Sequence, residues 1–303
     1  MNLYIKYRPQ EFDQVIGNEG VVAYLKKAVE DPASCPHVFL FHGQTGCGKT
    51  TLARIVSREL GCDPMDFREV NTADFRGIDT VREMIKNSRY HSIGGSVKVW
   101  LIDEVHKMTE DAQNAFLKLL EDSPPQSYFI LCTTEPGKLL PTIKGRCIDL
   151  QVKPLTDAQM QKLLKTVVRA EGKKITISVY EQIIQDSFGL PRNALQILDR
   201  VLGVTEEEQL QMAKSSAAQA SESIQLCRAL IEWSGWKKIA TILSGLKDQE
   251  AESIRRHVLG YCQSVLLKGE NDKAAHVMEM FRDHFYDVGF PGLVYACYSV
   301  VKG

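Results

Sequence analysis

Not one CxxC pair occurs among the eight cysteines, which are scattered at positions 35, 47, 62, 132, 147, 227, 262 and 297. Without paired spacing neither zinc nor a disulfide framework is expected, and reduced, mostly buried thiols are. There is no uncharged apolar run of ~18 residues to span a bilayer. The opening MNLYIKYRPQEF lacks the apolar stretch of a signal peptide, so a cytosolic location without a membrane partner is expected. Excess charge of either sign is missing too, the formal net charge being −1. Any nucleic-acid binding must therefore come from a local patch. What is present is an ordinary globular composition, 44% hydrophobic and 25% charged over 303 residues, enough for two or three domains.

The most informative stretch is GQTGCGKT, which follows a short apolar run, Val38 to Phe41, and opens a helix-like segment, Leu52 to Leu60. Glycines at 43, 46 and 48 let the backbone curl so that successive N–H groups face a triphosphate, and the helix adds the positive end of its dipole. Lys49 supplies charge for the outer phosphates and Thr50 a hydroxyl for Mg²⁺. Gly43, Gln44, Thr45, Gly46, Cys47, Gly48, Lys49, Thr50 and the adjoining Thr51 are thus the expected nucleotide contacts, with ATP and Mg²⁺ as ligands.

A second informative stretch is VKVWLIDEVH. The apolar run Val99 to Ile102 reads as a buried parallel strand that delivers Asp103 and Glu104 to its C-terminal edge, where ligands bind in such sheets. Asp103 would join Thr50 in holding the metal, and Glu104 would polarise the attacking water. His106 reads as structural, since no second His or Cys lies at ligand spacing. Further strands are expected at Phe67 to Val70, Phe129 to Cys132 and Ile148 to Leu150, alternating with helices near Asp79 and from Glu110 to Glu121. That alternation predicts a parallel sheet covered on both faces.

On the helix near Asp79, Arg82, Lys86 and Arg89 form a stripe apart from the apolar face. A solvated face accounts for them as well as nucleic-acid contact does. From Lys153 the pattern is wholly helical. Thr156 with Gln159 makes a capping box, Ser178 with Glu181 repeats it, and Pro191 stands where a first helical residue would, with Arg192 beside it. The polar, small-residue stretch Thr205 to Ser221 reads as a boundary. Beyond it, amphipathic segments predict a bundle of about five helices.

Taken in order, these motifs resemble the clamp-loader ATPases of the AAA+ class. KYRPQEFDQVIGNE is similar to their N-terminal box, VNTADFRGID to the segment after the second strand, and LIDEVH to their Walker B motif. LCTTEP is similar to their sensor 1 region, GRC to their arginine-finger SRC motif, and GLPRNAL to their sensor 2 helix. The resemblance implies an α/β P-loop AAA+ core with a five-stranded parallel sheet (1–153), a helical lid (154–204) and a C-terminal helical collar (205–303) that joins subunits in a five-membered ring. It implies that Arg8, Val15 and Ile16 lie near the adenine. Thr134 would hold the γ-phosphate and the lytic water, Arg192 would reach the phosphates, and Arg146 would act in trans on a neighbour's nucleotide. Arg76, Lys86 and Arg89 become expected DNA-backbone contacts, and Lys118 an expected link between DNA and Glu104. The implied partners are a sliding clamp, primer-template DNA and other loader subunits; the implied location is cytoplasmic, or nuclear in a eukaryote. Two departures stand out: glycine replaces serine in the finger triplet Gly145-Arg146-Cys147, and the four-cysteine zinc insert of bacterial-type subunits is missing. Another AAA+ remodeller of DNA or protein, or a non-hydrolysing ring scaffold, are the alternatives.

Overall fold

A computed structural model describes residues 2–302 apart from 32–33, 73–76, 89, 91, 93, 96, 214–221, 248 and 268. The chain divides into two compact units. One comprises Tyr4–Leu163 with Leu190–Arg192; the other comprises Leu164–Gly189 and Asn193–Gly303 with the first three residues.

The first unit is built on five parallel strands, β1 (Val38–His42), β2 (Phe67–Asn71), β3 (Lys98–Asp103), β4 (Ser127–Thr133) and β5 (Ile148–Gln151), in the order β2-β3-β4-β1-β5. β1 is apolar over four residues because both of its faces are covered, and its alternate side chains go to opposite sides. Phe39 and Phe41 pack with Leu52, Ile55 and Val56 of the helix after β1. Val38 and Leu40 join Val81, Met84, Phe116 and Leu119 from two other helices. In chain order the helices of this unit are α1 (Leu3–Lys6), α2 (Glu19–Glu30), α3 (Lys49–Glu59), α4 (Ile78–Ser88), α5 (Glu110–Glu121) and α6 (Pro141–Lys144). The α5 span and the core of every predicted strand match the sequence reading. The strands extend by a residue or two beyond the apolar runs because backbone pairing continues after the side chains turn polar, as at His42↔Thr133.

Helix α7 (Asp157–Ala170) opens with the expected capping box. Gln159 N–H donates to the Thr156 hydroxyl (3.3 Å) and Thr156 N–H to Gln159 Oε1 (3.0 Å). The second expected box is corrected. Helix α8 (Ile177–Ser187) has Thr176 at its N-cap position, without a side-chain capping bond, and the Thr176 carbonyl already accepts from Val179 and Tyr180. Ser178 is therefore inside the first turn, its hydroxyl 2.9 Å from that of Thr176. Helix α9 (Pro191–Val201) has Pro191 at its first position, as expected.

The second unit continues with α10 (Glu222–Ile231), α11 (Trp236–Gly245), α12 (Ala251–Leu266), α13 (Asp272–Met280) and α14 (Gly289–Lys302). Leu226, Leu230, Ile239, Leu243, Ile254, Val258, Val277, Phe281 and Leu293 form one core. They are the positions that helical spacing marks as apolar. No described helix is long and apolar enough to cross a membrane.

Candidate nucleotide-binding site

The loop begins where β1 ends. Gly43 N–H donates to the Thr133 carbonyl (3.2 Å), which ties the first loop residue to the neighbouring strand. Gly43 has φ +151, and a Cβ there would lie 2.2 Å from the Val152 carbonyl oxygen, so only glycine fits. Gly46 has φ +83, and a Cβ there would stand 3.3 Å from the Cβ of Arg192. Arg192 therefore stands beside the loop. Gly48 precedes α3, whose first turn carries no acidic residue against an incoming anion.

Lys49 is only 6% exposed. Its ammonium donates to the loop's own carbonyls, Gly43 O (2.8 Å) and Gln44 O (3.0 Å), so the charge is held in the cradle. Gln44 and Thr45 are exposed, Cys47 is buried beneath them, and Thr51 is half-buried on α3. Burial pushes the Cys47 thiol up, so it stays protonated and packs as a small apolar group.

Sheet register brings the second stretch alongside. The Thr50 hydroxyl donates to Asp103 Oδ2 at 3.1 Å. Asp103 Oδ1 accepts from Glu104 N–H at 2.9 Å. The Thr72 hydroxyl, just past β2, spans the carbonyls of Asp103 (3.0 Å) and Glu104 (2.5 Å). Two hard oxygen donors this close, at the C-terminal edge of a parallel sheet, are the donor set that Mg²⁺ prefers, so Thr50 and Asp103 fit that ion.

Glu104 has φ +54, a conformation that L residues seldom adopt. It turns the chain into a short 3₁₀ segment, Val105–Lys107, anchored by the fully buried Val105. The Glu104 carboxylate lies 3.5 Å from both Lys107 Nζ and His106 Nε2. His106 is buried; its Nδ1 lies 2.9 Å from the Thr133 hydroxyl and its Nε2 3.3 Å from Glu135 Oε1. Burial holds the His106 pKa below the ordinary imidazole value, more strongly than the two carboxylates raise it.

The N-terminal box docks on α3, where Arg58 Nη1 donates to the Gln10 carbonyl at 3.2 Å. Arg8, half-buried, has its pKa lowered by burial first and then by Arg54 and Arg192, so these guanidiniums share one neighbourhood. Val15 packs against the core below the loop and Ile16 is half-buried. The turn after them is clipped by Asn18, which donates to Lys153 O (3.0 Å) and accepts from Lys153 N–H (2.8 Å). Thr134 follows the last residue of β4, half-buried, beside the loop's starting point.

Other expected residues lie away from this cluster. Ile148 of β5 pairs with Phe39 at the beginning of β1, so Arg146 stands at the opposite end of the sheet from its own loop. Its guanidinium donates to the Thr142 carbonyl (2.9 Å) and pairs with Glu121. Lys86 on α4 and Lys118 on α5 are both exposed. Lys118 is not brought to Glu104, whose neighbouring cations are Lys107 and, when protonated, His106. Arg76 and Arg89 lie outside the described residues. The sequence reading missed Thr72, Thr133 and Glu135 and gave His106 only a structural part. The closeness of His106 to Asp103-Glu104, and a threonine at the end of each of two strands, were the available signals.

Comparison with known proteins agrees with the motifs. Residues 65–156 match the family described as DNA polymerase III, delta subunit. The chain is 35% identical to a DNA polymerase III subunit gamma/tau of Mycobacterium bovis over 225 residues, 67% of this chain and 39% of that protein. It is 35% identical to a replication factor C small subunit of Methanothermobacter thermautotrophicus over 205 residues, covering 67% of this chain and 63% of the relative. The chain therefore spans about two fifths of the gamma/tau protein it matches. Among solved structures, the Thermotoga maritima RuvB Holliday junction branch migration motor aligns with a TM-score of 0.62 at 22% identity, over 78% of this chain and 85% of that one. At that identity the likeness speaks for the fold alone. A five-stranded AAA+ sheet, a glycine loop facing an Asp-Glu pair, and these matched sequences lead to one statement: this chain is a relative of the AAA+ clamp-loader subunits.

Proposed function

We propose that the protein is an ATP-hydrolysing subunit of a sliding-clamp loader, which uses nucleotide binding and hydrolysis to open a ring-shaped clamp and set it on primer-template DNA. The observation that carries this reading is the Thr50–Asp103 contact at 3.1 Å, with Lys49 in the cradle beside it and Glu104 next in the chain. When bound, Mg²⁺ would neutralise phosphate charge between Thr50 and Asp103. Lys49 and the loop N–H groups bind the phosphates, Arg192 covers them, and Arg8, Val15 and Ile16 receive the base. Glu104 accepts the proton of the attacking water, which Thr134 helps to orient. Arg146 serves a neighbouring subunit's nucleotide; its distance from its own loop supports that role, because transition-state charge then meets it only across a subunit contact.

On this reading residues 154–204 act as a lid and 205–303 as a collar that joins five subunits. Lys86 and Lys118, with Arg76 and Arg89, hold the DNA backbone, and the complex works in the cytoplasm. The deciding experiment measures ATP turnover of the purified protein alone, with primed DNA, and with primed DNA plus a sliding clamp and partner subunits. Turnover should rise with each addition and vanish in Lys49→Ala. Mixing Arg146→Ala subunits with Glu104→Gln subunits should restore turnover that neither has alone, and its absence at every ratio would speak against sharing of sites between subunits. No hydrolysis under any condition would refute the enzyme reading.

A further inference from the structure

Resting on the reading of Glu104 as the base, we propose that His106 is a positioning residue: its Nε2–H, set in place by the Thr133 hydroxyl, aims the Glu104 carboxylate. The argument starts from counting protons. Thr133 Oγ1 accepts the Glu135 N–H at 3.0 Å and lies 2.9 Å from His106 Nδ1. On the far side of the ring, Nε2 faces carboxylate oxygens of Glu104 (3.5 Å) and Glu135 (3.3 Å). A lone pair at Nε2 would be repelled by both, so the ring proton sits there. Burial disfavours a second ring proton. Nδ1 is then an acceptor, and the single hydroxyl hydrogen of Thr133 goes to it.

Thr133 is fully buried and pairs with His42 in the β1–β4 register, and its carbonyl accepts the Gly43 N–H at 3.2 Å. One residue thus touches the phosphate loop through its backbone and the base through His106. A displacement of the loop at Gly43 is passed to the Glu104 carboxylate by two hydrogen bonds, one rigid ring and the 3.5 Å contact between Nε2 and the carboxylate. Lys107, also 3.5 Å from Glu104, lies on an exposed flexible stem and sets no such direction.

The test compares two amides at position 106 in the full-length protein. Gln carries its –NH₂ near the place of Nε2, whereas Asn reaches only the place of Nδ1. His106→Asn should lower kcat by about 10- to 100-fold. Its KM for ATP, and its affinity for a non-hydrolysable analogue, should stay within about threefold of wild type. His106→Gln should recover most of kcat, and Thr133→Val should lose it in the same sense as Asn. In a Glu104→Gln background, His106→Asn should cause no further loss. Equal losses in Asn and Gln, or a loss confined to KM, would overturn the proposal. So would wild-type turnover in His106→Asn while Glu104→Gln is inactive, and that result leaves Glu104 as the base. Wild-type turnover in Glu104→Gln itself would instead remove the base reading.

Discussion

Glu252 in the helical unit and Glu104 at the sheet edge are both glutamates beside cationic side chains, and the protein treats them oppositely. Glu252 is 3% exposed and closed on every side. Arg255 Nε donates to both of its oxygens (3.1 and 2.9 Å), Arg255 Nη2 to Oε1 (2.8 Å) and Phe285 N–H to Oε2 (2.9 Å). Arg255 in turn donates from Nη1 to the carbonyls of Phe281 (2.9 Å) and Arg282 (3.1 Å). The Glu104 side chain is 26% exposed, and its neighbours Lys107 and His106 stand off at 3.5 Å. A carboxylate with all lone pairs taken fixes structure; one held at a distance retains the capacity to take a proton. In the helical unit the buried Asp186 also pairs with an arginine, Arg228, and accepts from Gln182 (2.6 Å), both through Oδ2. In the sheet unit the buried Lys98, at the start of β3, donates to the carbonyls of Asn87 (3.1 Å) and Tyr90 (3.0 Å), whereas Glu104 stands at the other end of that strand.

That contrast can be broken most sharply by the same substitution at both sites. Glu104→Gln should cut ATP hydrolysis by about 10²- to 10⁴-fold, with thermal stability and nucleotide binding unchanged. Turnover and a melting curve on one sample decide it. Glu252→Gln should do the reverse, destabilising the helical unit by about 3 kcal/mol through the uncompensated Arg255, as read by denaturant unfolding.

Acid sharpens the second half. The Arg255 bonds hold the Glu252 carboxyl below its ordinary range. Its stabilisation is therefore complete above the unfolded-state value of ~4.3 and drains as pH falls through the lower folded value. The stability gap between wild type and Glu252→Gln should narrow below about pH 4; a gap independent of pH would detach the Arg255 pair from the effect. Next in size, Gly43→Ala forces a Cβ to 2.2 Å from the Val152 carbonyl. It should cost roughly 1–3 kcal/mol and weaken nucleotide affinity together with stability. The smallest effect belongs to the exposed Lys86: Lys86→Ala should lower the salt-dependence slope of DNA binding by about one and leave both glutamate phenotypes intact.

Much of this arrangement was readable before any coordinates, and the reason is local in each case. β1 showed itself as four apolar residues because both faces are buried. α5 ran from Glu110 to Glu121 because a threonine cap precedes it and a Ser-Pro-Pro stretch follows it. The Thr156–Gln159 box was readable because both partners lie within one helical turn. The same rule failed at Ser178, since two hydroxyls in succession, at 176 and 178, can each be read as the cap. Only the backbone decides between them. Arg146 could be named from its triplet, but its pairing with Glu121 could not, because that carboxylate is 25 residues away on another helix.

The order of apolar runs, glycines, caps and prolines determined by itself that this chain holds a phosphate loop, an acid-tipped strand and a helical second half, since those signals act within a few residues through φ/ψ preference and burial period. Which polar groups meet was settled by the tertiary structure alone. Thr50 reaches Asp103 across 53 residues, Thr133 reaches His106 across 27, and Asn18 clips Lys153 across 135. Strand register and the packing of both sheet faces fix those distances, and no periodicity along the chain encodes them.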